Sequence, residues 1–338
     1  MSFKRFDPED IAISAESIVA PAWSGDVSTL TQFIYSGSQA TISSGKYYYN
    51  MYSEGQQGNG LGEVQFAVAY GNRTGSGSVD FSTSEKGKSP SSVIYGQYRT
   101  LINGDENTDF NFGPGSPTPN SIYVVSVNRG RFKEKLLPGS FELTLTNGAN
   151  NLTLIDNSTA LSTVSYVDAG RVYDIVKGTL SGGIVTDAAF TGASGSYGKM
   201  YPDIGVFIFN TNALKDTTYG IGLTPVEADS TSNGNNINSF AATISQGQNF
   251  SLRSEETVTS NYVFVRVRNS EFNYSTNPSN ISGSGELRHN VMINTPQAYM
   301  TAVGLYNDNN DLLGVAKLSK PLLKDFTKEA LVRIKLDF

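Results

Sequence analysis

The chain has 338 residues, with 34 glycines, 18 tyrosines, 18 phenylalanines, one histidine and no cysteine, and its formal net charge is -6. Without thiols it cannot form disulfides, iron–sulfur clusters or cysteine-based zinc sites, and one imidazole cannot supply two or three metal ligands. The negative charge and the lack of any Lys/Arg-rich run argue against a protein that binds nucleic acid through bulk electrostatics.

The first thirty residues predict neither an export signal nor a membrane span. Asp7, Glu9, Asp10 and Glu16 interrupt the region where a signal peptide needs an unbroken apolar stretch. No window approaches the roughly 18–20 uncharged apolar residues of a membrane helix. We therefore expect no membrane insertion, and folding in the compartment where the chain is made. A short helix is one interpretation of the acidic stretch.

Most of the remaining patterns predict strands. Apolar and polar residues alternate with a period of two, as in half-buried strands, and charged residues make up only 17% of the chain. We expect a mainly β protein with an antiparallel β-sandwich-like core, few short helices and long loops. The predicted strands are Glu63–Tyr70, Ser121–Asn128, Phe141–Thr146, Arg171–Lys177, Ile204–Asn210, Asn261–Arg268 and Ala330–Phe338.

Two helices interrupt the strands. Ser89 and Pro90 supply an N-cap and a proline at the first helical position, and apolar residues recur at near-helical spacing until Asn103-Gly104. A shorter helix is predicted around Asn238–Ser245.

The clearest hairpin lies near the end of the chain. Its arms are TAVGLY and LLGVAK within Thr301–Lys317, joined by a turn over Asn307–Asp311 whose residues tolerate left-handed backbone geometry. Tyr306, Asn307, Asp308, Asn309, Asn310 and Asp311 form a candidate interface hairpin.

Composition predicts two domains. Residues 146–248 are richer in Gly, Ser, Thr and Asn clusters than their flanks, where most of the strict alternation lies. The predicted arrangement is a β-rich core from residues 1–145 and 249–338, with 146–248 as a looser inserted β domain.

The sequence offers no set of catalytic or cofactor-binding residues. His289 is the one histidine, and no Gly-x-Ser-x-Gly elbow or phosphate-binding loop is present. Asp105–Asp109 and Asp308–Gly314 have alternating oxygen ligands but lack the acidic residue that closes a calcium loop, so turn chemistry explains them. We predict a protein that is not an enzyme, with no cofactor, metal or catalytic residue.

One aromatic concentration is a candidate interface or ligand platform. Tyr47, Tyr48, Tyr49 and Tyr52 combine large apolar area with polar tips and could stack on sugar rings or anchor a protein interface. The alternative, which we favour, is that they alternate into a hydrophobic core.

Several blocks resemble virion structural proteins of contractile-tailed bacteriophages (myophages). The N-terminal ones are Phe3–Asp10 (FKRFDPED), Val19–Trp23 (VAPAW), Phe66–Gly77 (FAVAYGNRTGSG), Ile94–Arg99 (IYGQYR) and Ile122–Gly139 (IYVVSVNRGRFKEKLLPG). The C-terminal ones are Glu271–Asn277 (EFNYSTN), Thr301–Lys317 (TAVGLYNDNNDLLGVAK) and Glu329–Phe338 (EALVRIKLDF).

This resemblance implies a structural role in the tail, most like that of a baseplate wedge component that joins neighbouring subunits. The implied partners are other virion proteins of the baseplate, tail or neck, in multiple copies within a symmetric assembly. The implied location is the virion tail, after folding in the host cytoplasm. A neck connector, a tail-fibre attachment protein and a receptor- or carbohydrate-binding tail protein are the alternatives.

Overall fold

A computed structural model describes residues 4–35, 48–53, 63–75, 89–185, 195–227 and 235–337. In chain order the strands are β1 Ile11–Pro21, β2 Thr29–Leu30, β3 Phe33–Tyr35, β4 Tyr48–Ser53, β5 Val64–Asn72, β6 Ser121–Val127, β7 Lys135–Leu136, β8 Glu142–Asn147, β9 Asn150–Asp156, β10 Ser165–Val167, β11 Gly170–Thr179, β12 Gly183–Ile184, β13 Gly198–Tyr201, β14 Val206–Asn210, β15 Phe250–Ser251, β16 Arg253–Val267, β17 Gln297–Tyr306, β18 Leu312–Asp325 and β19 Ala330–Asp337. The helices are α1 Pro90–Asn103, α2 Thr211–Lys215, α3 Asn235–Gly247 and α4 Val291–Asn294.

These elements confirm the mainly β, antiparallel class and both predicted helices. Helix α1 begins at Pro90 and ends at Gly104, whose φ of 68° is the left-handed geometry that a helix C-cap favours. The acidic N-terminal stretch forms only a 3-10 turn over Pro8–Asp10 and then continues as β1. The β-branched residues Ile11 and Ile13 that follow favour an extended chain.

The described chain divides into two compact units: unit 1 comprises Met1–Ser17 and Thr257–Phe338, and unit 2 comprises Ile18–Glu256. The domain boundaries predicted from composition, 145/146 and 248/249, do not coincide with these limits. Strands of the predicted insertion pair directly with strands of the predicted core, as Leu154 does with Leu143 and Phe207 with Val125. Loop composition therefore does not mark a separate fold here.

Unit 2 is built on one large antiparallel sheet that nearly closes into a barrel. The order is β2-β15-β8-β9-β11-β13-β14-β6-β5-β4-β3, with β10 and β12 also paired to β11. The two strands at the ends of this order, β2 and β3, are separated in sequence by only Thr31 and Gln32. This short connection keeps the two ends of the sheet close together, so the sheet curves back on itself.

Helix α3 fills the inside of the curved sheet. It packs against β8 and also against β3, β4 and β5 near the far end of the strand order. Phe240 of this helix stacks on Tyr123 of β6, with ring centroids 4.5 Å apart. The interior therefore has a packed core, which accounts for the apolar face of the 235–247 segment.

Helix α1 covers the outside of β5 and β6. Its backbone approaches β5 at Gly71, where a β-carbon would lie 3.0 Å from the Tyr95 backbone nitrogen. On β6, Ile122 and Val124 pack in the outer cluster with this helix, whereas Tyr123 and Val125 pack inside. A strand buried on both faces needs a continuous apolar run, and this explains the sequence IYVV.

Ionisation of the buried tyrosines of unit 2 should lower the stability of this unit at high pH. Burial raises the pKa of Tyr70 to about 12, above the value near 10 of an unfolded chain. A raised pKa favours the folded state below pH 10, and that contribution disappears as the pH rises toward 12. For Tyr70 alone it amounts to about 3 kcal/mol.

We expect the urea midpoint of unit 2 to fall steeply between pH 10 and 12. Tyr70→Phe should reduce the slope of the free energy of unfolding against pH by about 1.4 kcal/mol per pH unit, which corresponds to one proton. Equal slopes for the wild type and Tyr70→Phe would contradict this assignment.

The described residues of unit 1 form two small β-sheets. Strand β19 pairs with β16 over eight consecutive residue pairs, from Ser260↔Asp337 to Val267↔Ala330. Strand β1 lies on the other side of β16 in the same sheet. Strands β17 and β18 form a two-stranded hairpin, whose turn confirms the one predicted at 307–311. The core between them centres on Val263, Leu305 and Ile334.

A buried lysine fixes the end of β18. Lys324 is fully buried, and its Nζ donates to the Asn269 carbonyl at 2.9 Å, to Asn273 Oδ1 at 2.7 Å and to the Asp325 carbonyl at 2.7 Å. These bonds use all three ammonium protons. They tie the segment after β16 to the hairpin.

Lys324→Ala should lower the free energy of unfolding of unit 1 by about 3 kcal/mol, because three acceptors lose their donor and a cavity remains. The exposed Lys320→Ala on the same strand is the matched control and should stay within about 0.5 kcal/mol of wild type. Hydrogen exchange of the β17–β18 amides measures both; similar exchange in the two variants would contradict the role of Lys324.

Candidate assembly surface

The tyrosine cluster is divided between the two faces of β4. Tyr49 is buried inside the barrel, with 4% of its surface exposed, whereas Tyr48 is 38% exposed and Tyr52 is half-buried. Tyr47 lies outside the described residues. Because side chains alternate along a strand, Tyr48 and Tyr52 share one face and Tyr49 lies on the other. The described members therefore do not form one continuous platform.

The predicted interface turn satisfies its own hydrogen bonds. Asn307 Oδ1 accepts from the Asp311 backbone N–H at 2.7 Å, and Asn307 Nδ2 donates to Asp311 Oδ2 at 3.0 Å. Asn310 has a φ of 64°, which asparagine tolerates better than most residues. Asp308, Asn309 and Asn310 are exposed at its tip. The hydrogen bonds between Asn307 and Asp311 close the turn that joins β17 and β18.

The outward face of the β17–β18 hairpin is apolar near this turn. A β-carbon on Gly304 would lie 2.9 Å from Tyr306 Cε2 and 3.4 Å from Leu312 Cδ1, so both side chains cover the Gly304 backbone. Val315 pairs with Gly304 on the same face and is 56% exposed. Leu313, in the register shift beside it, is 71% exposed. We call Tyr306, Leu312, Leu313 and Val315 the hairpin patch.

The two units differ sharply in how they use apolar side chains. Among the described residues, unit 2 buries 46 hydrophobic residues and exposes 11 large ones, whereas unit 1 buries 4 and exposes 13. A chain segment of this size normally buries far more than four apolar side chains when it is stable alone. Contiguous exposed apolar surface marks protein interaction sites. Unit 1 is therefore the part of the chain whose apolar surface is left to be covered.

The outward face of β16 and β19 is basic. Arg266, Arg333 and Lys335 face outward in the β16–β19 ladder, where Asp337 is the sole carboxylate. The Arg333 guanidinium lies 5.5 Å from the centre of the Tyr262 ring. A hydrogen bond from Lys335 to Asp337, 3.2 Å away, raises the pKa of Lys335. Across the described residues, neither Arg266 nor Arg333 has a carboxylate within ion-pair distance.

Net charge is also unevenly distributed. Unit 1 has 11 basic and 11 acidic residues, so it is neutral, whereas unit 2 has 14 basic and 20 acidic residues and carries the whole charge of -6. Low net charge removes the repulsion that keeps soluble domains apart. It makes unit 1 suited to close packing against neighbours.

The described residues contain no cluster of metal ligands: no group of three or more His, Asp or Glu side chains among them could hold a metal ion. His289 is exposed, in the turn that precedes α4. None of the described helices is both long enough and apolar enough to span a membrane.

Sequence reasoning found the hairpin turn but missed the patch beside it. The missed residues are Leu312, Leu313 and Val315, together with Leu331 on β19. The signal that could have identified them is the apolar pair Leu312-Leu313, because consecutive apolar residues in a strand cannot both face one core.

Comparisons with family models, with curated proteins and with solved structures gave no match for this chain.

Proposed function

We propose that the chain is a non-enzymatic structural protein of a phage tail, a baseplate wedge subunit that joins neighbouring tail subunits during assembly. The phage assignment rests on the sequence blocks that resemble myophage virion proteins. The assembly role rests on one structural observation: among its described residues, unit 1 exposes 13 large apolar side chains and buries four hydrophobic residues. A subunit with such a surface gains stability when it is packed between others.

The two units then have different tasks. Unit 2, with its large core, is the stable body of the subunit. Unit 1 carries the hairpin patch and the basic face of β16 and β19, which contact neighbouring virion proteins. Interface cores are rich in tyrosine and arginine, as Tyr306, Tyr299 and Arg333 on these strands illustrate. In a symmetric particle, each copy of the chain would bury the same surface against its neighbours.

The experiment that tests this proposal is complementation of a phage lacking the gene for this chain. The triple variant Leu312→Ser, Leu313→Ser, Val315→Ser removes the apolar part of the hairpin patch. We expect its incorporation into particles to fall at least tenfold, because an exposed interface, and not a folded core, has been altered. Quantitative mass spectrometry of purified particles measures incorporation.

The matched control is Val93→Ser with Leu101→Ser, which alters exposed apolar residues on α1 of unit 2. It should be incorporated at near wild-type levels. Absence of the wild-type chain from purified particles would overturn the proposal, as would hydrolysis of polysaccharide by the purified chain at enzymatic rates. The density of an intact particle distinguishes a wedge position from a neck or fibre position.

A further inference from the structure

We infer that the free edge of β19 accepts an extended, acidic strand from a neighbouring virion protein, which adds to the sheet by β-augmentation. This inference names the partner chemistry of the proposed assembly surface and so rests on the proposed function. The occupant is a segment of another protein with glutamate or aspartate at alternate positions and apolar residues between them.

One edge of β19 is open among the described residues. Strand β19 pairs with β16 on one side, and among the described residues no strand pairs with its other side. Its eight pairs with β16 show no register shift, so the strand is regular along its length. The exposed edge presents unpaired backbone N–H and C=O groups, which form a template for another strand.

The edges of the large sheet and of the β17–β18 hairpin are less suited to this role. Strand β1, the opposite edge of the β19 sheet, ends in Pro21 and has Glu16 as its one charged residue, so it does not favour an acidic strand. Strands β2 and β3 at the ends of the large sheet have only two and three residues. Strand β18 contains Pro321, which lacks an N–H, and its pairing with β17 is shifted between Met300 and Ala302. Short strands, prolines, bulges and charged side chains are the devices that protect edges from pairing. Strand β19 has only the last of these, in Arg333, Lys335 and Asp337, whose net positive charge an acidic strand would neutralise.

The hydrophobic core beside this edge is only partly covered. Ile334 is buried, but its neighbours Val332 and Leu336 on the inner face are only half-buried. An added strand would place its apolar residues next to these side chains and extend the core. Half-buried apolar residues on the inner face of an edge strand, as Val332 and Leu336 are, are what an absent neighbouring strand leaves.

The positive charge on the outer face of β19 and β16 favours one kind of partner strand. The outer face of β19 presents Leu331, Arg333, Lys335 and Asp337, with Arg266 beside Leu331 on β16, so three cations outnumber one carboxylate. Opposite charges on directly facing residues stabilise strand pairing, and like charges destabilise it. An acidic strand is therefore favoured. A second copy of β19 is disfavoured, because in the antiparallel registers that keep the two inner faces on one side and pair seven residues, Arg333 faces Arg333 or Lys335 of the other copy.

A binding experiment with the purified full chain tests this inference. The probe is a fluorescent eight-residue peptide of alternating glutamate and valine, measured by fluorescence polarisation. We expect it to bind at least tenfold more tightly than a lysine–valine peptide, and at least tenfold more tightly than a glutamate–proline peptide of the same charge, whose prolines remove half of the backbone N–H donors. Hydrogen exchange should show new protection of the amides in 330–337.

Variants assign the site. Arg333→Glu with Lys335→Glu should weaken the glutamate–valine peptide at least tenfold and strengthen the lysine–valine peptide. Lys317→Glu with Lys320→Glu makes the same charge change on β18 and should alter binding less than twofold. Unchanged exchange in β16 and β17 would show that the β19 variant is folded; if it is not, the single variant Lys335→Gln, with an expected threefold weakening, replaces it.

Three results would overturn the inference: no binding of the glutamate–valine peptide, equal binding of the glutamate–proline peptide, or a dimer of the chain that depends on β19. Its failure is separate from that of the proposed function. A chain found in particles that does not bind the peptide refutes the strand acceptor alone, and a chain that binds the peptide but is absent from particles refutes the tail assignment alone.

Discussion

Phe250→Ala is expected to lower the free energy of unfolding of unit 2 by about 4 kcal/mol, the range for removing a fully buried aromatic ring. Phe250 lies on β15, next to one end of the large sheet, and is completely buried. Its ring centroid lies 5.1 Å from that of Phe66 on β5, a strand from the far part of the sheet order. The ring thus contributes to closing the barrel across its interior.

Other contacts of Phe250 explain why no neighbour can replace it. The Trp23 ring lies 4.8 Å away in an edge-to-face arrangement, and the Trp23 indole N–H donates to the Phe250 carbonyl at 2.9 Å. Rings of Phe141 and Phe207 lie 6.0 and 6.1 Å away. Edge-to-face pairs add to the energy of area burial. A cavity in this cluster is surrounded by rigid rings and cannot collapse fully.

Urea unfolding, followed through tryptophan fluorescence, measures this effect, since Trp23 is the single tryptophan. Leu101→Ala, on the exposed side of α1, is the control and should stay within about 0.5 kcal/mol of wild type. A loss below about 1 kcal/mol for Phe250→Ala would show that the barrel closes without this cluster.

Ile334→Ala is expected to cost about 3 kcal/mol and to unfold a measurable fraction of unit 1. Ile334 is one of the three buried residues at the centre of the unit 1 core, with Val263 and Leu305. Because so few side chains are buried, each supplies a large share of the stability of this unit. Unit 2 has its own core and should keep its stability.

Hydrogen exchange resolved by segment measures both units in one sample. Amides of β16 and β19 should lose protection in Ile334→Ala, while those of β6 and β14 should not change. Leu331→Ala, on the outward face of the same strand and 61% exposed, is the control and should leave exchange unchanged. Equal loss in the two variants would contradict the assignment of inner and outer faces.

Local patterns predicted the helices and most strands because their signals are short-range. Pro90 and Gly104 define the ends of α1 through backbone geometry, and both ends agree with the structure; Ser89 occupies the N-cap position, but its hydroxyl donates to the Gly75 carbonyl and forms no hydrogen bond that caps the helix. The hairpin turn at 307–311 was predictable for the same reason, since its hydrogen bonds join residues within five positions. Alternation placed Val332, Ile334 and Leu336 on one face of β19 correctly.

The candidate surface was predictable only in part. The turn and its residues Tyr306–Asp311 were identified, but the exposure of Leu312, Leu313 and Val315 depends on what packs against each strand. The same holds for the tyrosines: the pattern predicts that they alternate, but the barrel interior places Tyr49 inside. Burial is a property of distant contacts that no local window contains.

The sequence by itself determined the absence of thiol chemistry, the β class, the helix ends, the hairpin turn and the alternation of β19, because composition, backbone geometry and periodicity act within a few residues. The tertiary structure alone decided that the described strands within 146–248 belong to one sheet with strands that flank them in sequence, and that Ile18–Glu256 holds nearly all of the core of the described residues. It also decided that β19 is an edge strand. Strand pairing joins residues far apart in the chain, so which strands lie at an edge, and which apolar faces stay uncovered, is fixed only when the whole sheet has formed.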